Sequence, residues 1–342
     1  MKYFTSATLI LLLFFGGGFP LYSRPAGDRP DRAVSSAEPA EFRELPMPLP
    51  EIRTPLAVLP ESPRPGEPLT VGYCASGTAE NDGLRANLVD GRGRSLSHSP
   101  FFNVPGDAGP ELKAAILAVP STAAPGAALI RVEDVFGETV AEIPLIIADR
   151  NFAAEEIPLN QANTNLRTVP DPRKTAESEY LTTILYRTGN DIHTLGPFIP
   201  PVASTRRTSF FGDRRVYRYA NGSSVTSIHA GIDYGVPTGT AVVACADGRV
   251  VLARSRIVTG NSVVLEHLPG VYSIYYHLDK ILVEEGALIS AGTVLGESGF
   301  TGLATGPHLH WEIRVSGENT DPDALTARPI LDKEALLRKM GE

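Results

Sequence analysis

The stretch that most constrains this chain is HLHWEIRV, residues 308–315. Read as a strand, its side chains alternate between two faces. Leu309, Trp311, Ile313 and Val315 then share one side, an apolar row that needs a core to sit on. His308, His310, Glu312 and Arg314 share the other, expected to be the open face. The α-carbons of the two histidines would lie about 6.5–7 Å apart, close enough to serve one site yet too far to force both onto one metal ion. The surroundings agree with a sheet. From Ser204 to Asp323 apolar and polar residues alternate densely among many glycines, and Ala241–Val251, Ser262–His267 and Val271–His277 read as further strands. No long amphipathic helix interrupts them, so a compact β-structure is expected.

At 342 residues there is length for two domains. A formal net charge of −8 argues against a nucleic-acid partner, which would want a basic face. Residues 1–23 read as an export signal: Lys2 is a short positive start, Leu9–Phe15 is unbroken and apolar, and Gly16, Gly17 and Gly18 end it. The apolar run is shorter than the roughly 20 residues of a membrane span. No Ala-x-Ala follows, so an uncleaved N-terminal anchor, the one route to a membrane, is the alternative. Residues 24–55 are proline-rich with mixed charge and read as a linker. Residues 56–148 carry short β-like runs (LTVGYCA, LRANLVD, LKAAILAVP, AALIRVED, TVAEIPLIIA) between turn clusters, and suggest an Ig-like β-sandwich acting as a spacer or binding module. Residues 149–203 read as a connector with one docked helix, started by Asp171 as N-cap and Pro172 at the first helical position. A short helix, Asp332–Met340, closes the chain. The fold class expected is thus mainly β, with short helices in the connector and at the C-terminus. Cys74 and Cys245 fall in strand-like runs of different segments and read as buried thiols.

Chemistry concentrates between His229 and His310. HAGID sets His229 and Asp233 four residues apart. A helix would bring them together, but Gly231, Gly235 and Pro237 argue against one. Gly231 can instead bend an extended segment so that both side chains reach a common point. With one histidine of the HLH pair they offer two nitrogens and one carboxylate oxygen. Three protein ligands leave a position for water, as in a catalytic zinc site. A water there has its pKa lowered from about 15.7 to near 7 and becomes a nucleophile. There is no HExxH, so no helical glutamate can take the proton. His277, at the end of its strand, and His308 are the available groups. Glu312 shares the histidine face. His98 lies in a polar loop with no partner histidine, and His267 reads as an edge or core residue. No GxSxG occurs, and the glycine-dense 296–306 segment lacks the lysine of a phosphate loop, so it reads as a tight turn approaching the site.

Taken together, SFFGDRR, HAGIDYGVPTGTAVVACADGRV, GNSVVLEH, YYHL and GFTGLATGPHLHWE resemble the LytM, or lysostaphin-type (M23), zinc metallopeptidase family over about Ser204 to Asp323. The resemblance implies an antiparallel β peptidase domain, placed at 204–326 ahead of the C-terminal helix segment at 327–342, one zinc ion on His229, Asp233 and His310, and catalytic His277 and His308. It also implies peptidoglycan as the substrate, cut as an endopeptidase in the periplasm or cell envelope. Degenerate relatives that only bind and activate a partner hydrolase supply the alternative expectation, a catalytically silent regulator of a cell-wall amidase. The segment after Arg215, VYRYANGSSVTS, is longer than the family pattern leads one to expect.

Overall fold

The computed structural model describes residues 56–75, 83–105 and 111–341. The expected export signal and linker, residues 1–55, lie outside the described residues. The fold is mainly antiparallel β with a few short helices. Two four-stranded sheets come first. One has the order Leu56–Leu59, Pro68–Ala75, Glu111–Ala118, Phe102–Asn103, and the other Ser95–Pro100, Arg85–Asp90, Gly126–Glu133, Thr139–Ile147. The run LKAAILA explains how they are mounted. Apart from Lys113 it is apolar on both sides, as a doubly covered strand must be. Ala115 and Leu117 enter the core between the two sheets. Leu112, Ala114, Ile116 and Ala118 face the other way, into the same cluster as Trp311, Ile313 and Val315. The sandwich therefore shares a core with the C-terminal sheet. His98 lies on the Ser95–Pro100 strand opposite Asn87, exposed, and not in a loop.

The large C-terminal sheet runs Arg207–Ser209, Gly231–Tyr234, Leu309–Val315, Val271–Ile281, Gly260–Leu268, Gly248–Arg256, Leu288–Ile289. Leu309, Trp311, Ile313 and Val315 are all fully buried, so the apolar row has the core it needs. The opposite face is not open: His310 and Glu312 are buried as well. The Ala241–Val251 run is two strands, not one. Ala241–Val243 pairs with Val294–Ser298, while Gly248–Arg256 pairs with Gly260–Leu268. Between them Cys245 and His267 are buried side by side, with His267 Nδ1 on the Asp247 carbonyl (2.7 Å) and Nε2 on the Ser273 hydroxyl (2.7 Å). His267 is thus a satisfied core residue. Burial raises the Cys245 thiol to about 11, and both cysteines are free.

The connector is richer than one helix. Ala154–Pro158 pairs in parallel with Arg214–Arg218, which pairs with Ser224–Ile228, so the long segment after Arg215 is a hairpin on a three-stranded sheet. Gln161–Thr168 follows, capped by the Asn160 side chain on the Asn163 amide. Next comes Pro172–Leu185, where Asp171 accepts from the Arg173 amide and Leu181, Ile184 and Leu185 pack on Leu252, Val264 and Ile274. Near the C-terminus Pro322–Ala327 and Lys333–Gly341 are helical, and Leu336 of the second is fully buried. Among the described residues no helix is long and apolar enough to cross a membrane.

Candidate metal centre

Register puts two of the expected donors together. Asp233 and His310 are direct partners across the Gly231–Tyr234 and Leu309–Val315 pair, and partners on one face are close neighbours. His310 Nδ1 lies 2.7 Å from Asp233 Oδ1. His229, just before the same strand, closes the group: its Nε2 is 3.1 Å from His310 Nδ1 and 3.2 Å from Asp233 Oδ1. Close strand approach depends on Gly231. A Cβ there would stand 2.1 Å from the Trp311 carbonyl oxygen, well inside contact distance. Gly231→Ala is therefore expected to cost about 2–4 kcal/mol in a urea unfolding experiment and to spread the three donors; an unchanged midpoint would contradict this reading of the register.

The remaining atoms of these side chains are already committed. His229 Nδ1 faces the Phe210 carbonyl oxygen (2.7 Å), an acceptor only, so that nitrogen carries the proton and Nε2 presents its lone pair. His310 Nε2 donates to Glu312 Oε1 (2.9 Å), and Glu312 is held in turn by Arg314. Asp233 Oδ2 accepts from Arg215 Nη2 (2.7 Å). What is left at the centre is two imidazole nitrogens and one carboxylate oxygen converging with no donor between them other than a proton. Such a trio repels itself unless a cation joins it. Burial opposes charge on His310, but the carboxylates of Asp233 and Glu312 on either side outweigh it and raise its pKa to about 9. Burial likewise pushes Asp233 up, yet His310 and His229 hold it well below the usual carboxylate range. Nitrogen, nitrogen and oxygen with outer partners fixed is a donor set that suits zinc. Among the described residues His229, Asp233 and His310 are the one group of three such side chains that could hold a metal, with their donor atoms all within 4.8 Å of one another.

His277 and His308 stand beside the trio. The Val271 strand does not end at His277 but runs on to Ile281. Two residues, Tyr276 and His277, lie opposite the single Ser262 between the pairs Val263–Tyr275 and Asn261–Leu278, which is a β-bulge. His277 has φ 62°, a left-handed conformation uncommon outside glycine. The bulge turns it to the same side as Tyr276, which stacks on His310 with 5.5 Å between ring centres. The ring centres of His277 and His308 are 4.7 Å apart, and His308 Nε2 is 3.8 Å from Asp233 Oδ1. Each has its Nδ1 on a carbonyl, Thr301 for His277 and Gly306 for His308, both at 2.8 Å. The 296–306 segment thus supplies two anchors for the site. Its close approach needs Gly260, at φ 66°, where a Cβ would sit 2.2 Å from Thr301 Oγ1. Burial lowers both histidines, His277 to about 3, so both are neutral at neutral pH. Sequence reasoning missed Arg215, Glu155 behind it and the Phe210 carbonyl. Only SFFGDRR hinted at the first and last.

Comparison with known proteins follows the same residues. Residues 227–322 match the model of peptidase family M23. A DD-carboxypeptidase/endopeptidase, Mpg, of Neisseria meningitidis serogroup B is 40% identical over 124 residues, covering 36% of this chain and 28% of that protein. A peptidoglycan DD-endopeptidase, ShyA, of Vibrio cholerae is 40% identical over 118 residues, covering 34% of this chain and 27% of that protein. The matches thus span little more than a quarter of these relatives' length. A crystal structure from Pseudomonas aeruginosa, described as a peptidase M23, superposes with a TM-score of 0.54 at 24% identity and covers 77% of this chain and 94% of that one, a likeness of fold. The strands that bring His229, Asp233 and His310 into register lie wholly inside the matched segment, and residues 227–322 of this chain are a domain of peptidase family M23.

Proposed function

We propose that this chain is an exported zinc metalloendopeptidase of the periplasm or cell envelope that hydrolyses stem peptides or peptide cross-links of peptidoglycan. In this reading residues 204–326 are the catalytic domain, carried by the 56–148 sandwich and the 149–203 connector. The observation that carries it is the convergence of His229 Nε2, His310 Nδ1 and Asp233 Oδ1 within 2.7–3.2 Å, every other polar atom of the three being engaged elsewhere. Relatives named as peptidoglycan endopeptidases and the apolar N-terminal segment support the substrate and the compartment.

Bound zinc would supply Lewis acidity, polarising the scissile carbonyl and making a water nucleophilic near pH 7. His229, Asp233 and His310 would hold the ion. His277 and His308 move the proton: with Nδ1 tied to a carbonyl, each presents Nε2 to the reacting groups as acceptor first and donor later. Glu312 and Arg314 fix the ring of His310 from behind.

The test is mass spectrometry of soluble peptides released from purified sacculi. Zinc-loaded protein should release cross-link or stem fragments, a chelator should stop release, and added zinc should restore it. Release undiminished in chelator, or none from protein holding one zinc per chain, would overturn the proposal.

A further inference from the structure

The metal trio is braced from a strand outside the matched segment. Arg215 lies on Arg214–Arg218, directly opposite Glu155 in the parallel pair with Ala154–Pro158. Its guanidinium bridges two carboxylates: Nη2 donates to Asp233 Oδ2 (2.7 Å) and Nε to Glu155 Oε1 (2.6 Å). The side chain is only 11% exposed. Glu155 Oε1 also accepts from Ser209 Oγ (2.8 Å), so the brace is anchored at both ends.

We propose that Arg215 is a positioning residue of the metal centre: by occupying Oδ2 it commits Asp233 to offer Oδ1 alone to the cation, and it is itself aimed by Glu155. The inference rests on the zinc reading of His229, Asp233 and His310. A carboxylate with both oxygens free can swing and bind through either or both. One whose Oδ2 accepts from a buried guanidinium that is itself fixed by a second carboxylate is held to a single orientation. A positive guanidinium beside a cation site would by itself weaken the site, and Glu155 offsets that charge. The pair acts as a neutral clamp, which places one determinant of metal affinity in the connector.

Charge must therefore be conserved in the test. Arg215→Met alone removes a repulsive charge as well as the clamp and mixes the two effects. The double variant Arg215→Met with Glu155→Met removes the pair at no net charge, and replacing both partners of an ion pair by apolar groups of similar size is often tolerated. Arg215→Lys keeps the charge but replaces the fork with a point donor. Zinc dissociation constants from competition with a chromophoric chelator, and melting of the metal-free proteins, are compared with the parent. We expect both variants to bind zinc about 10- to 100-fold more weakly. A purely structural brace would shift metal-free melting and leave the dissociation constant of folded protein in place.

Constants within twofold of the parent in Arg215→Lys overturn the proposal, even if the double variant fails to fold. A parent that binds no zinc overturns the metal reading instead, and this inference with it.

Discussion

Replacing His310 by alanine is expected to abolish stoichiometric zinc binding and to lower peptide release from sacculi by on the order of 10³-fold or more, the scale of losing several kcal/mol of Lewis-acid stabilisation. His310 is the hub of the trio. Its Nδ1 is within 2.7 Å of Asp233 and 3.1 Å of His229, and its strand lies between those of Asp233 and Tyr276. Without it the donors that remain, His229 and Asp233, sit on one short segment, and two protein ligands hold zinc poorly. The chain should still fold. Leu309, Trp311, Ile313 and Val315 keep their core, and Glu312 keeps Arg314. Metal analysis after reconstitution, a thermal melt and the release assay on one preparation check this. A folded variant that retains one zinc per chain would remove His310 from the ligand set.

How much of this was legible in the sequence depends on whether the information is local. The alternation in HLHWEIRV encodes its own faces, and the buried Trp311 row follows from it. It does not encode what covers the other face, so His310 and Glu312 were expected in the open and are buried. Ala241–Val251 reads as one strand because apolar residues fill most of it, although Asp247-Gly248 in its middle is a turn signal. Its division is set by a choice of partners, Val294–Ser298 for Ala241–Val243 and Gly260–Leu268 for Gly248–Arg256, which no local apolar pattern specifies. The helix Gln161–Thr168 has one buried residue, Thr164, and no apolar stripe to read. Its support is tertiary, through Thr164 Oγ1 on the Ala220 amide and Asn163 Nδ2 on the Ala304 carbonyl. At His277, YYHL reads as plain strand, and the bulge that turns the imidazole toward His308 is a matter of pairing count with the neighbouring strand. The short motifs name residues that the structure brings together, His229, Asp233 and His310 with His277 and His308 beside them. The clamp of Arg215 and Glu155 joins residues 60 apart, and no short motif spans it.

His277→Ala and His308→Ala should separate metal binding from proton transfer. Each is expected to keep one zinc per chain and to lose about 10²- to 10⁴-fold in kcat on a defined cross-linked peptide, the usual span for a general acid or base. Neither belongs to the converging trio: the shortest approach of His308 Nε2 to Asp233 Oδ1 is 3.8 Å, and His277 has its Nδ1 on Thr301. Both are neutral because burial disfavours the imidazolium, with the neighbouring histidines adding to the effect at His277. A neutral ring with Nδ1–H on a carbonyl has its basic nitrogen free, which is the state a proton acceptor needs. With ring centres 4.7 Å apart the two can serve the same reacting group from adjacent positions. Their losses should therefore not multiply, and the double variant should fall close to the worse single one. A single variant that loses its zinc would move that histidine into the ligand set. One whose kcat stays within tenfold of the parent, with zinc bound, would strike it from the catalytic pair and leave the other histidine to handle the proton alone.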